Sequence, residues 1–162
     1  MSFERLMPIE RLRPGATPSA PAGSLLVPYG SLESLSLRFD IDGTKLALPL
    51  DARKERAFAT FNIANQHLPA LILEDWALRV DPDSGYNTFE ASPKAGDAII
   101  TVDDAGFVGM LDHTLTYVTT KGGVIAQPNW SRDQFIGFRR WSVGYQEAGR
   151  WIDLLPLQDL AD

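Results

Sequence analysis

The amino-acid sequence predicts a mainly β fold: an antiparallel β-sandwich or a partly closed β-barrel with one or two short helices. Apolar and polar residues alternate along several short segments, as in strands with one solvated face. Glycine-containing turn sequences recur between these segments. With 162 residues, 44% of them hydrophobic and 22% charged, the chain has the size and composition of one folded domain. We expect that domain to span residues 24–162.

Residues 1–23 are predicted to form an N-terminal arm and a Pro/Gly-rich linker. Residues 14–23 carry three prolines among small residues, which disfavours a helix or a central strand. The arm before them is apolar enough to be costly in water. Its apolar residues are Phe3, Leu6, Met7, Ile9 and Leu12. Two arrangements stay open: the arm folds back as an edge strand, or it reaches a second copy and forms a homodimer.

The clearest local structure is a hairpin over residues 35–50. Apolar residues alternate with polar ones from Leu35 to Ile41, and Asp42-Gly43 is a two-residue turn sequence of the type that fits strand twist. In that register Phe39 lies opposite Leu46, so the apolar side chains of both strands share one face. Pro49 then lies where its missing N–H points away from the partner strand, as at a sheet edge.

Three further hairpins and one more pair of strands are predicted from turn signals. In two of the hairpins glycine is the third turn residue, a position that prefers a left-handed backbone. The hairpins join residues 76–80 to 86–91 through 81–85, residues 99–102 to 107–111 through 104–106, and residues 141–145 to 151–155 through 147–149. A threonine-rich strand over 113–120 turns at Gly122-Gly123 into 124–126.

Two segments are predicted to be helical. Residues 51–65 begin with Asp51, a suitable N-cap, and space Phe58 and Phe61 for burial on one face. Ser131 is followed three residues later by Gln134, which is the spacing of a capping box and predicts a helix of two or three turns.

Charge and composition exclude several classes of protein. The net charge of −6 repels nucleic-acid phosphates and anionic membranes. The absence of cysteine excludes disulfides, thiolate metal sites and a cysteine nucleophile. The chain begins without the basic and then apolar pattern of a signal peptide, and it has no apolar run near the roughly 20 residues of a membrane-spanning helix. We expect a cytoplasmic protein that binds neither nucleic acid nor membrane.

Residues 39–44, Phe-Asp-Ile-Asp-Gly-Thr, resemble the first motif of the haloacid-dehalogenase-like phosphohydrolases. The resemblance implies that Asp40 is the nucleophile, Asp42 the acid and base, and magnesium the metal. The family's motif ends a buried parallel strand, which reads as a continuous apolar run. This segment alternates and turns back on itself, so we favour an Asp-Gly turn over a phosphatase site.

No metal site or cofactor is expected. The spacing of polar residues over 81–87 is similar to that of a calcium-binding loop. However, Gly85, Tyr86 and Ser92 occupy the positions that need an oxygen ligand, a glycine and a bidentate glutamate. The only two histidines, His67 and His113, show no metal-ligand spacing. A catalytic triad assembled from distant residues stays open.

One aromatic and arginine-rich stretch supplies the candidate ligand-binding residues. Such residues can form a stacking and cation–π surface for sugars, nucleotides or a partner protein. The same aromatics can fill a β core, and over residues 139–145 the one-sided spacing of Trp141 and Tyr145 favours that alternative. The candidate set is Trp130, Arg139, Arg140, Trp141, Tyr145 and Trp151.

The leading functional hypothesis is a non-catalytic binding or assembly module, whose small ligand or protein partner the sequence does not identify. It rests on turns, strand edges and aromatics that occur without a convincing catalytic set. The alternative is a small β-barrel enzyme or ligand-binding protein whose site assembles from distant residues, including His67 or His113 with nearby carboxylates.

Overall fold

In a computed structural model, the described residues are 11–28, 34–65, 69–131 and 135–160. They form three antiparallel sheets, and within these ranges no sheet closes and no helix reaches seven residues. The mainly β prediction is confirmed, and three sheets that do not close are consistent with a β-sandwich, whereas the barrel alternative is not confirmed. No helix in these ranges has the length and apolar character that crossing a bilayer requires.

The first sheet has the order β1-β6-β2-β3-β4-β5 and the second the order β12-β11-β10-β9-β13-β8. In the third, β14 pairs with β7, β15 and β16. The strands are β1 Leu12–Ala16, β2 Leu25–Val27, β3 Ser36–Ile41, β4 Thr44–Pro49, β5 Phe61–Asn62, β6 Pro69–Leu73, β7 Ala77–Val80, β8 Gly85–Asn87, β9 Ala98–Ile100, β10 Ala105–Leu111, β11 Thr114–Thr119, β12 Val124–Ile125, β13 Ile136–Phe138, β14 Arg140–Glu147, β15 Arg150–Asp153 and β16 Gln158–Asp159.

The hairpin of β3 and β4 is confirmed in its predicted register. Phe39 lies opposite Leu46, and Leu50 N donates to Leu35 O at 2.9 Å. Asp42 and Gly43 have φ values of 48° and 80°, so both turn residues are left-handed, as a type I′ turn requires. β5 pairs with β4 only at residues 46 and 47 of β4. Pro49 lies past the end of this pairing, so β5 does not need its missing N–H.

Two other predicted hairpins form with different turns. β9 and β10 are joined through Thr101 and Asp104, so Gly106 lies within a strand and not in the turn. A Cβ on Gly106 would lie 2.1 Å from Val118 O. The close approach of the neighbouring strand therefore requires glycine at this position. β14 and β15 are joined by the two-residue turn Ala148-Gly149. The pairing of β11 with β12 is confirmed.

The predicted hairpin around residues 81–85 is wrong. β7 pairs with β14 and β8 pairs with β13, so the two strands belong to different sheets. Asp81 N donates to Arg140 O at 2.9 Å, and Arg140 N donates to Ser84 Oγ at 3.0 Å. These bonds hold the 3-10 turn Pro82–Ser84 at the junction of β13 and β14, where the chain changes sheets.

The predicted helix over residues 51–65 is also wrong, because this segment forms successive turns followed by β5. Phe58 has φ 62°, which a right-handed helix does not allow. Its N–H donates to Pro49 O at 2.9 Å, and its carbonyl accepts from Met110 N at 2.8 Å. Bonds to two neighbouring strands therefore replace helical bonds. In the second predicted helix, Ser131 lies in a turn and Gln134 lies outside the described residues.

The predicted linker, residues 14–23, is packed onto the body. Its first part belongs to β1, the edge strand that pairs with β6 and not with β4. Thr17 and Ala20 are buried, and Lys45 Nζ donates to Pro18 O at 2.9 Å. The segment is therefore part of the fold. Residues 1–10, which hold most of the apolar arm, lie outside the described residues.

The main core lies between the sheets and contains Leu37, Phe39, Phe107 and Trp141, all fully buried. Because side chains alternate along a strand, the first two sheets each carry a second apolar cluster on their opposite face. Leu26, Ala47 and Ile72 belong to the cluster on the first sheet. Ile99, Val108, Tyr117 and Phe135 form the cluster on the second sheet.

Candidate functional site

Trp141 and Tyr145, two of the six predicted ligand-binding residues, lie in the main core. They are 0% and 1% exposed, as the core-packing alternative expects. Trp141 Nε1 donates to Gly96 O at 2.8 Å, and its ring packs against Phe58 and Phe107. Neither ring is accessible to a ligand in this structure.

Arg139 and Arg140 make contacts within the chain. The Arg140 Nε lies 3.0 Å from Asp81 Oδ2. The Arg139 guanidinium lies 4.6 Å from the centroid of the Tyr86 ring, and its Nη1 lies 3.9 Å from Asp97 Oδ2. Both arginines thus support the strands around β8 and β13.

Tyr86, Asp97 and Arg139 form a buried polar cluster. The Tyr86 hydroxyl donates to Asp97, which is 0% exposed and also accepts from Lys94 N at 3.0 Å. Burial and the neighbouring Asp97 carboxylate raise the pKa of Tyr86 well above its usual range. The tyrosine therefore stays protonated and acts as a hydrogen-bond donor. A Cβ on Gly137 would lie 2.3 Å from its ring, so this glycine leaves the space that Tyr86 occupies.

Trp151 lies on the face of β14 that points away from the main core. Its ring covers Gly144, where a Cβ would come within 2.8 Å of the indole. The Arg79 guanidinium lies 4.9 Å from the Trp151 ring, and Trp151 Nε1 donates to Asp153 Oδ1 at 2.5 Å. The tryptophan is partly exposed but engaged on several sides by its own chain.

Trp130 lines a cleft of about 550 Å³ between residues 88–92 and residues 127–131. Its ring is partly buried and meets Phe135 edge to face, with the ring centroids 5.6 Å apart at 72°. On the opposite wall Phe89 is 65% exposed. Two aromatic side chains thus border one cavity.

Hydrogen bonds to the body hold both walls of the Trp130 cleft. Thr88 N and Oγ1 both donate to Phe135 O, at 3.1 and 3.2 Å. Asn87 Oδ1 accepts from Phe89 N at 2.9 Å, which shapes the turn that presents Phe89. On the other wall Thr116 Oγ1 donates to Ala126 O at 3.2 Å. The cleft is therefore framed by loops with defined anchors.

The lining of the Trp130 cleft is polar but carries little charge. Within the described part of the chain, Glu90 is the one ionisable residue that lines it. Hydroxyl and amide side chains come from both walls, with Thr88 and Ser92 on one and Gln127, Asn129 and Ser131 on the other. Ser131 Oγ donates to Asn129 Oδ1 at 3.0 Å. Chemically, this arrangement offers hydrogen bonds and aromatic contact.

Sequence reasoning found Trp130 but missed Phe89 and Glu90. Residues 86–91 were expected to continue a strand, whereas β8 ends at Asn87 and a turn follows. The usable signal was Asn87, whose side chain commonly forms a turn with the backbone two residues on. Residues 127–131 form the other wall of the cleft because of tertiary packing. The sequence around residue 89 contains nothing that predicts this neighbour.

The structure also positions the residues considered for catalysis. Asp42 lies in the exposed turn of β3 and β4, and Asp40 Oδ1 lies 2.7 Å from Arg38 Nη1. His113 lies in a second exposed two-residue turn, Asp112-His113, with φ 65°. His67 falls outside the described residues. Within the described ranges, no three or more His, Asp or Glu side chains are grouped as metal ligands.

Comparison with known proteins identifies a family without assigning a function. Neither a curated protein nor a solved structure matches the chain. A family model described as Y4lG, uncharacterised protein y4lG, matches residues 14–161. Because this match covers nearly all of the sequence, the chain belongs to the family of uncharacterised protein y4lG.

Proposed function

We propose that this chain is a non-catalytic binding module that holds a small ligand in the Trp130 cleft. One observation carries the proposal: two aromatic side chains and several hydrogen-bonding groups border an open cleft of about 550 Å³. Ligand pockets commonly have about 300–1,000 Å³ and carry aromatic walls together with polar groups that orient the ligand. The cleft has a volume in this range and two aromatic side chains, and its lining is mainly polar.

The chemistry of the lining supports binding more than catalysis. General acid–base catalysis uses a positioned histidine or carboxylate, often as one of a pair. Among the lining residues that the structure describes, Glu90 is the single carboxylate and is exposed, and none is a histidine. His113, the described candidate of the enzyme alternative, is held in a strand turn. These placements favour a binding role.

A ligand screen with two tryptophan variants tests the proposal. A ligand that binds the folded state raises its stability, by about 2.7 kcal/mol at a concentration of 100 Kd. We expect a broad small-molecule screen to give hits that raise Tm of the wild-type protein. Trp130→Ala should remove these shifts, whereas the matched control Trp151→Ala, on another surface, should keep them. Hits that persist in Trp130→Ala would place binding elsewhere and contradict the proposal.

Assembly through the N-terminal arm stays a prediction beside ligand binding. Arg11 Nη1 and Nε lie 2.8 Å from Asp75 and Glu147, and its guanidinium lies over the Tyr145 ring. These contacts support an arm that folds back on its own body. Light scattering of the full chain and of a variant without residues 1–13 tests the alternative: a dimer that becomes a folded monomer on deletion would favour arm exchange.

We also propose that the protein is located in the cytoplasm. Cell fractionation tests it, and recovery of the protein outside the soluble cytoplasmic fraction would contradict it.

A further inference from the structure

We infer that the Trp130 cleft takes an uncharged saccharide of roughly one or two sugar rings, a size that suits its volume. This inference rests on the proposed binding function and adds the chemical class of the ligand. It follows from the charge, the hydrogen-bonding groups and the aromatic surfaces of the cleft.

Charge disfavours an anionic ligand. Among the described lining residues, Glu90 is the one ionisable residue. These residues therefore repel a carboxylate or a phosphate and supply no cationic partner for it. The net charge of −6 adds to this repulsion at longer range. Nucleotides, sugar phosphates and uronic acids therefore fit the cleft poorly.

The hydrogen-bonding groups match a ligand with many hydroxyls. Ser92 and Gln127 lie on opposite walls, and Glu90 adds an acceptor. A primary amide offers both donors and acceptors, as a sugar hydroxyl does, and a carboxylate can accept from two neighbouring hydroxyls. A simple cation would use Glu90 but would leave the amide and hydroxyl groups without a role. The polar lining thus favours a polyhydroxylated ligand.

The aromatic residues supply the apolar contact that sugar rings require. A pyranose presents C–H groups on its faces, and these pack on aromatic rings. Trp130 is partly exposed in the cleft and Phe89 is 65% exposed. Covering an exposed aromatic side chain with a ligand is favourable, because it removes apolar area from water. A sugar ring packed on Trp130 or Phe89 covers that apolar area while its equatorial hydroxyls reach the amides.

Isothermal titration with five probes tests the ligand class. The neutral probes are cellobiose, maltose and N,N′-diacetylchitobiose, the anionic probe is digalacturonate, and the cationic probe is choline. We expect at least one neutral disaccharide to bind and both charged probes to fail. Trp130→Ala should weaken the neutral ligand about tenfold or more, as truncation of a central aromatic contact does. Trp151→Ala is the matched control and should leave Kd unchanged.

A Glu90→Gln variant separates a sugar from a cation, because glutamine keeps the side-chain shape and one hydrogen-bond acceptor but removes the charge. Saccharide binding should weaken by about threefold to tenfold, as expected for the loss of about one hydrogen bond, whereas binding of a cation to the carboxylate should be lost. If choline or digalacturonate binds through Trp130 and no neutral probe does, the ligand class is wrong while the binding function stands. If no probe binds and the broad screen also fails, both are overturned. Saccharide binding that Trp130→Ala leaves intact would overturn the site.

Discussion

Trp130 and Trp141 come from the same aromatic stretch of the sequence, but the fold uses them in opposite ways. Trp141 is fully buried, and its indole N–H is bonded to Gly96 O. Trp130 lies in a loop, partly exposed beside a cleft. This difference shows that the alternation of side chains along a strand predicts which face of the sheet Trp141 occupies. No such periodic pattern predicts where the side chain of a loop residue such as Trp130 lies.

Replacing Trp141 should have the largest effect on stability. Trp141→Ala removes the ring packed against Phe58 and Phe107 and leaves Gly96 O without its donor. We expect a loss of about 3–5 kcal/mol in the free energy of unfolding, typical of a buried aromatic. Urea denaturation followed by circular dichroism measures it. A loss below about 1 kcal/mol would contradict the central role of this ring.

Gly144→Ala tests the opposite face of the same strand. An added Cβ would lie 2.1 Å from Ile152 O and 2.8 Å from the Trp151 ring. Since a backbone oxygen cannot move away easily, we expect a loss of about 1–3 kcal/mol. Gly123→Ala is the control, because its Cβ would meet the Thr119 hydroxyl at 3.2 Å. Equal losses in the two variants would show that β14 and β15 do not pack as described.

Asp51 stabilises the turns that bring Phe58 onto Trp141. The Arg53 guanidinium, 2.9 Å away, holds the pKa of Asp51 below its usual value. A carboxylate with a lowered folded-state pKa contributes stability above its unfolded pKa, and this contribution disappears as pH falls through the folded value. Because Arg53 is largely exposed, we expect at most about 1 kcal/mol at pH 7.

Urea denaturation of the wild type and of Asp51→Asn from pH 7 to pH 2 measures this contribution. The stability difference should shrink as the pH falls below about 4. A difference independent of pH would contradict the ion pair, although the turn itself could persist through the asparagine side chain.

Replacing Trp130 should cost far less stability than replacing Trp141. Trp130→Ala loses an edge contact with Phe135 but opens no cavity in the main core. We expect a loss of about 1 kcal/mol, within the range of ordinary point substitutions. Urea denaturation beside Trp141→Ala measures the contrast. A loss as large as that of Trp141→Ala would show that Trp130 is a core residue, and its role in the cleft would then need revision.

The sequence predicted those parts of the fold that short-range patterns determine. Residues 35–50 form a hairpin because alternation and the Asp42-Gly43 turn act within one segment. Residues 77–87 do not, because bonds from Asp81 and to Ser84 reach Arg140, far along the chain. The helix expected from residue 51 does not form, because Phe58 makes its backbone hydrogen bonds to two neighbouring strands instead.

The candidate site was predictable in one residue only. Trp130 was singled out as part of an aromatic and arginine-rich stretch, but Trp141 and Tyr145 belong to the same stretch and lie in the core. The opposite wall, with Phe89, lies about forty residues earlier in the sequence. Its approach to Trp130 depends on the pairing of β8 with β13. Single-residue chemistry cannot predict which distant loops share a cleft.

The contacts of Arg11 restrict when the chain can finish folding during its synthesis. Arg11 donates to Glu147 and to Gln146 O, and it lies 136 residues before Glu147. Ribosomes add about 5–20 residues per second, so Glu147 is synthesised roughly 7–27 s after Arg11. During this interval the hairpin of β3 and β4 can already form from neighbouring residues. The hairpin that contains Tyr145 and Glu147 must be translated before the start of the described chain acquires these contacts.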